Sequence, residues 1–253
     1  MQTIVSVAGV THPGHTRETN EDAMIWDMSI GFIGVADGMG GHKAGEIASA
    51  LALDSVRSFL QKSAGTDDCT WPYGVDPQLS PTANRLMTAI KIANRRVFGA
   101  SEERTEYAGM GTTLLSAVIE NGEVTFGSVG DSRIYLFDGT QLRQLTRDDS
   151  WVVMLAQESG VDRATLSTHP MRNVLTNVIG AQPEVQVHLD ELALGVSTLV
   201  FCTDGLHGAV SDDEMLGILK REHDLQRAAD TLIQLALERG GKDNITVVLA
   251  RSS

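Results

Sequence analysis

Aspartates recur at the ends of strand-like apolar runs in this chain of 253 residues. Asp22 immediately precedes the run 23–28, and Asp37 immediately follows the run 32–36. Asp204 follows the apolar run 199–203, and Asp243 stands just ahead of the run 245–250. Asp131 occupies the turn Gly130-Asp131-Ser132 between two further runs. A tight hairpin at Ser29-Ile30-Gly31 would set Asp22 across from Asp37, and cross-strand neighbours lie about 5 Å apart. Carboxylates that close repel unless a cation joins them or one takes up a proton. If 199–203 and 245–250 are antiparallel neighbours, Asp204 and Asp243 meet as well, and the aspartates gather at one rim.

Oxygen-only ligands select hard cations such as Mg²⁺, Mn²⁺ or Ca²⁺ over zinc. Two such ions roughly 3.5–4 Å apart can activate a bridging water and clamp a phosphoryl group. Taken singly, each Asp is an ordinary turn or cap residue. Asp37-Gly38 tips the balance, because a glycine lets a backbone carbonyl come close to a ligand. The segment Gly38-Met39-Gly40-Gly41-His42 reads as a phosphate-cradling loop or as backbone packed closely around a metal. It lacks the lysine and serine of a nucleotide-binding P-loop.

The elements that must position these residues are legible in outline. Strand-like runs cover 4–10, 23–28, 32–36, 112–119, 123–129, 133–137, 141–145, 196–203 and 245–250, with Asn121-Gly122, Gly130-Asp131 and Asp138-Gly139 as turns. Apolar residues at helical spacing predict helices over 43–61 and 82–103 and near 149–159. Leu225, Ala228, Ala229, Leu232, Ile233 and Ala236 form a further helical stripe. Residues 62–81, with Gly65, Pro72, Gly74, Pro77 and Pro81, read as a long loop. Strands and helices are segregated, which favours an α+β arrangement of antiparallel sheets packed against helices. No repeat or low-complexity segment interrupts the chain.

Composition narrows the function. Asp and Glu number 33 against 20 Lys and Arg, a net charge of -13. That balance repels nucleic acid and anionic membrane surfaces. No apolar run approaches the roughly 20 residues of a membrane helix, and the first ten residues lack the features of a secretory signal, so a cytoplasmic protein is expected. Cys69 and Cys202 read as free thiols rather than a disulfide framework.

Six motifs then occur in one order along nearly the whole chain. They are Arg17-Glu18-Thr19-Asn20-Glu21-Asp22, Val35-Ala36-Asp37-Gly38-Met39-Gly40-Gly41-His42, Gly109-Met110-Gly111-Thr112-Thr113, Gly130-Asp131-Ser132-Arg133, Thr203-Asp204-Gly205-Leu206 and Lys242-Asp243-Asn244-Ile245-Thr246. Together they resemble the bacterial branch of the PPM protein phosphatases, the 2C type. The resemblance implies one catalytic domain over 1–253, a β-sandwich of two antiparallel sheets flanked by antiparallel helix pairs, and a flap near 147–175 that includes His169-Pro170-Met171-Arg172-Asn173.

It also implies roles at matching positions. Asp37 would bridge two Mn²⁺ or Mg²⁺ ions, the carbonyl of Gly38 would bind one, and Asp204 and Asp243 would complete the other. Glu21 and Asp22 would orient metal-bound waters, with Asn244 supporting that network. Asp131 matches a weaker third metal site, and Arg17 the phosphate-binding arginine. The reaction implied is hydrolysis of protein phosphoserine and phosphothreonine by a metal-bridging water, opposing a serine/threonine kinase and acting on that kinase's targets. Many eukaryotic members carry a leaving-group acid, His, directly after the metal-binding Asp-Gly; here that residue is Met39. His42 is nearby, as an acid or as a helix-start residue, and a metal-bound water is the alternative donor. His12, His15, His188, His207 and His223 receive no role.

Two other classes compete. A phosphoprotein-binding pseudophosphatase would show a lost metal carboxylate, yet Asp37, Asp204 and Asp243 are all present. A two-metal nuclease would want a basic stripe, which this acidic chain lacks.

Overall fold

Apolar residues alternate along the strands, and both faces of the alternation are buried. In β3 (Phe32–Met39), Phe32 and Ala36 belong to one core and Ile33 and Val35 to another. In β5 (Leu114–Glu120), Leu114 and Val118 join the first set while Leu115, Ala117 and Ile119 join the second. Strands buried on both faces need a cover on each side. The computed structural model describes residues 5–41, 44–65, 71–159, 169–171 and 174–252, and it supplies both covers.

Two antiparallel sheets face each other. One runs β1 (Val5–His12), β11 (Ile245–Ser252), β10 (Thr198–Cys202), β7 (Arg133–Phe137), β8 (Leu142–Gln144). The other runs β2 (Asp22–Asp27), β3, β5, β6 (Glu123–Val129), β9 (His188–Ala193), with the short β4 (Gly111–Thr112) paired to the end of β3. Ile33, Leu115, Phe126, Phe201 and Val248 fill the space between them. Helices α1 (Ala44–Ser63) and α2 (Pro81–Glu103) cover the outer face of the second sheet through Ala48, Ala52, Leu86, Ile90 and Val97. Past α3 (Trp151–Ser159) and the single-turn α4 (Asp204–His207), α5 (Asp212–Arg221) and α6 (Leu225–Glu238) cover the first. The result is the expected sandwich with helices on both outer faces.

The hairpin register is the one that the turn residues imply, with Asp22 paired to Asp37. Other boundaries differ. β3 continues through Met39, so Asp37 lies inside the strand, because β4 offers it a partner where an end was expected. The run 112–119 breaks at Thr113 into β4 and β5. β6 and β7 are consecutive but lie in different sheets, so Gly130-Asp131-Ser132 crosses the sandwich instead of closing a hairpin. The helix expected from 149 begins at Trp151. β9 and α5 went unread. β9 has no fully buried residue, and α5 buries only Met215, Ile218 and Leu219. Cys202 is a buried free thiol; Ile4, His42, Cys69, Arg172 and Asn173 lie outside the described residues.

Close backbone approach fixes the rim. A Cβ on Gly205, at the start of α4, would sit 2.0 Å from the carbonyl oxygen of Asn244. Gly205→Ala must therefore push apart the segments carrying Asp204 and Asp243, costing about 1–3 kcal/mol. Gly99, in the interior of α2, has open space around it. Gly99→Ala should stabilise by about 0.5–1 kcal/mol. Thermal melts of both variants check this, and equal melting temperatures would contradict it.

Candidate metal centre

The β2–β3 register sets Asp22 beside Asp37 at the rim. Asp22 is only 8% exposed. Its Oδ2 accepts from the hydroxyls of Thr203 (2.9 Å) and Thr246 (2.6 Å), while Oδ1 has no hydrogen-bond partner. Burial pushes its pKa up to about 7, against the pull of the two hydroxyls. Asp37 is held by its backbone. Its N–H donates to Thr113 Oγ1 (3.0 Å), and its carbonyl accepts from Thr113 N–H and Thr112 Oγ1, both at 2.8 Å. Burial first, then Asp22 and Asp204, raise the Asp37 carboxyl well above the usual range. The N–H of Gly38 donates to the Glu21 carbonyl at 3.1 Å. A Cβ there would lie 2.1 Å from the Gly45 carbonyl oxygen, so the start of α1 packs directly on this peptide.

Asp204 enters from the first sheet, at the N-terminus of α4. Its carboxyl lies within hydrogen-bonding reach of Asp37, and burial and then Asp243 raise its pKa. Its Oδ1 has no partner. Asp243 accepts from Arg17 Nη2 at 2.9 Å, and that bond raises the guanidinium pKa further. Burial also raises Glu21, whose Oε1 is unpartnered. Asn244 spends its amide on the backbone of the loop before β2: Oδ1 accepts from Glu21 N–H, and Nδ2 donates to the carbonyls of Pro13 and Thr19. Its visible work is to brace that loop.

Asp131 completes the group from the turn that crosses between the sheets. Burial, then the field of Asp204, pushes it up to about 7. The next residue, Ser132, shares a 2.7 Å hydroxyl–hydroxyl bond with Thr113. Asp131's carbonyl accepts from His207 Nε2 at 3.0 Å. Burial pushes His207 down to about 3, so it is neutral near pH 7 with its proton on Nε2. Arg133 makes a bidentate pair with Asp148 at 3.0 and 2.8 Å. A cleft of about 520 Å³, lined by Asp131, Arg133, Asp148, Asp204, Lys242 and Asp243 among others, opens beside these groups. In the flap region, His169 stacks on Trp151 with ring centroids 4.7 Å apart.

The sequence reading assigned nothing to His207, Asp148, Thr203, Thr246, Thr112 or Thr113. The threonines did stand inside the quoted motifs, which is the signal that could have found them. His207 and Asp148 carry no local pattern that distinguishes them.

The donor set fits a hard cation. Among the described residues no three Asp, Glu, His or Cys side chains close into a cage by themselves. Hard cations such as Mg²⁺ keep waters and accept carbonyls alongside few carboxylates, so a preformed cage is not required. The fit rests on the partnerless oxygens of Glu21, Asp22 and Asp204 and on the burial, with mutual repulsion added to it, that raises Asp37 and Asp131.

Raised carboxyls make the metal-free fold take up protons. Their stabilising contribution is full below the ordinary carboxylate range, near 4, and is lost as pH climbs through about 7. Chelator-treated protein should therefore melt lower at pH 8 than at pH 5, by about 2–4 °C for each kcal/mol lost. Adding Mn²⁺ at pH 8 should recover the difference. A melting temperature independent of both pH and metal would show that the carboxylates do not strain the fold.

Comparisons with known proteins bear on the family and the fold. A family model described as Protein phosphatase 2C matches residues 11–250. A serine/threonine phosphatase, stp, of Listeria monocytogenes is 36% identical over 220 residues, covering 85% of this chain and 82% of that protein. The crystal structure of the Mycobacterium tuberculosis serine/threonine phosphatase PstP/Ppp superposes with a TM-score of 0.84 at 31% identity, covering 98% of each chain. The catalytic domain of PstP in complex with two manganese ions superposes with a TM-score of 0.80 at 30% identity, covering 100% of this chain and 99% of that one. Among the described residues no helix is long and apolar enough to cross a membrane. A family match spanning nearly the whole chain and this carboxylate-lined rim lead to one conclusion: the chain belongs to the bacterial PPM, or 2C-type, family of metal-dependent serine/threonine protein phosphatases.

Proposed function

We propose that residues 1–253 act as one catalytic domain that hydrolyses phosphoserine and phosphothreonine in proteins at a two-ion Mn²⁺ or Mg²⁺ centre. The observation that carries this reading is the set of buried, raised carboxyls with unpartnered oxygens at one rim. Asp37, which feels the charges of Asp22, Asp204, Asp131 and Asp243, would hold both ions; the Gly38 carbonyl would serve one ion, and Asp204 and Asp243 the other. When bound, the ions supply Lewis acidity and a water acidic enough to attack near neutral pH. Glu21 and Asp22 orient the waters around them. Asp131 holds a third, weaker ion, because one carboxylate from a turn cannot strip a hard cation of its waters.

Arg17 grips phosphate oxygens. A guanidinium has five N–H donors, and the bond to Asp243 uses one end of it, so the planar fork retains donors for phosphate. His42 or a water protonates the leaving oxygen. The enzyme works in the cytoplasm opposite a serine/threonine kinase and shares that kinase's substrates. A pseudophosphatase that only binds phosphoproteins would not need carboxyls held at this energetic cost. The first experiment is release of phosphate from a phosphothreonine peptide with and without Mn²⁺; absence of Mn²⁺-dependent release would overturn the reading.

Losing the Asp37 charge should expel or separate the ions. Asp37→Asn should cut kcat by roughly 100-fold or more while the melting temperature of the metal-free protein holds or rises. Most of the wild-type kcat surviving at saturating Mn²⁺ would rule out the two-ion centre. Arg17→Ala should act mainly on KM. A lost charge-assisted bond of about 1.5–3 kcal/mol lowers kcat/KM by about 10- to 150-fold, and an unchanged kcat/KM would remove Arg17 from the phosphate site.

A further inference from the structure

Every residue of the turn that carries Asp131 is held from outside the turn. Ser132 is bonded to Thr113, Arg133 to Asp148, and the Asp131 carbonyl to His207. Gly130 has no side chain to anchor, and its φ of 96° lies where other residues are strained. Its anchor is Asp149. Gly130 N–H donates to Asp149 Oδ2 at 3.1 Å, and Asp149 N–H donates back to the Gly130 carbonyl at 2.9 Å.

Asp149 is itself fixed at both oxygens and on its backbone. Oδ2 also accepts from Asn177 Nδ2 at 2.7 Å, and the Asp149 carbonyl accepts from Thr176 N–H at 2.9 Å. Oδ1 lies 2.6 Å from Nε2 of His188, at the start of β9. Asp149 is 9% exposed, and its carboxyl is spent on Gly130, Asn177 and His188. Burying a carboxylate is costly unless it is hydrogen-bonded. The bonds of Asp149 reach the residue immediately before Asp131 at both its N–H and its carbonyl.

We propose that Asp149, oriented by His188, is a positioning residue for the phosphatase reaction: it fixes the Gly130 peptide and so holds the Asp131 carboxyl at the rim beside Asp204. The inference rests on the reading of Asp131 as the ligand of a third ion. It would mean that an Asp–His pair outside the rim sets the affinity of that ion.

A double-mutant cycle on the full chain tests it, using Asp149→Ala, Asp131→Ala and the pair together. The measurements are phosphothreonine-peptide kinetics, Mn²⁺ binding by calorimetry, and thermal melting. Asp149→Ala should lower kcat by about tenfold with KM little changed. It should also move the weak Mn²⁺ binding step to higher concentration by about the same factor, leaving the tight step in place. In the Asp131→Ala background it should add nothing, since residues that act through one another are not additive. His188→Gln, which can donate an N–H in place of the ring, should keep most of the wild-type rate, whereas His188→Phe should resemble Asp149→Ala. Should Asp149→Ala fail to fold, Asp149→Asn, which cannot accept all three bonds, should show the same changes in smaller degree.

Independent, multiplying losses overturn the proposal and leave the two-ion reading intact. So does a lowered melting temperature with kcat and weak Mn²⁺ binding unchanged. If Asp131→Ala itself alters neither kcat nor weak binding, the third-ion reading and this inference fall together.

Discussion

Repulsion between carboxyls forced together at the rim of two sheets is the constraint around which this molecule is arranged. Asp22 and Asp37 arrive on neighbouring strands of one sheet, and Asp204 and Asp243 flank neighbouring strands of the other. Asp131 arrives on the connection between the sheets. No one element carries enough negative charge to bind a hard cation tightly, and each would be an ordinary strand-end aspartate alone. Gathered and buried, Asp22, Asp37, Asp131 and Asp204 hold protons they would otherwise release. Divalent cations would replace those protons in the proposed centre, and the energy stored in burial and repulsion would then become affinity for metal.

That repulsion must be resisted by everything nearby, and the resistance is mostly backbone and hydroxyl. Thr203 and Thr246 tie Asp22 of one sheet to two strands' ends of the other. Thr112 and Thr113 hold the Asp37 peptide from β4 and the start of β5. Asn244 binds the loop ahead of β2 to the segment ahead of β11. Gly38 and Gly205 remove the Cβ atoms that would keep these segments apart. Neutral groups suit this work, since further charged braces would add their own desolvation cost.

The two sheets divide the labour. The interior between them is apolar and supplies cohesion, while the helices on the outer faces bury the remaining apolar side of each strand. Polar chemistry is left to the rim. The cleft beside it is walled by the Arg133–Asp148 pair and by the segment 239–243. Its cations are few: Arg133 pairs with Asp148, Arg239 bonds to Glu214 and to the Ala209 carbonyl, and Lys242 stands beside them, while Arg17 rests on Asp243 at the rim. A phosphorylated group approaching a chain of net charge -13 therefore depends on those few cations and on bound metal for its attraction.

Local pattern alone determined a good deal. Apolar runs bounded by turn residues marked β3, β5, β10 and β11, the Ser29-Ile30-Gly31 turn fixed the register that pairs Asp22 with Asp37, and helical spacing marked α1, α2 and α6. Those signals are local, because a strand buried on both faces reads as a short continuous apolar run and an amphipathic helix repeats its apolar residues to bury one face. β9 and α5 escaped because they bury little, which leaves a weak pattern. What only the tertiary structure decided is the set of long-range grips. His207 reaches the Asp131 carbonyl across 76 positions, Thr246 reaches Asp22 across 224, and Asp149 joins Gly130 to His188. Such bonds depend on how two sheets stack and where a crossing turn lands, and a side chain's partner at that distance leaves no periodicity in its own neighbourhood.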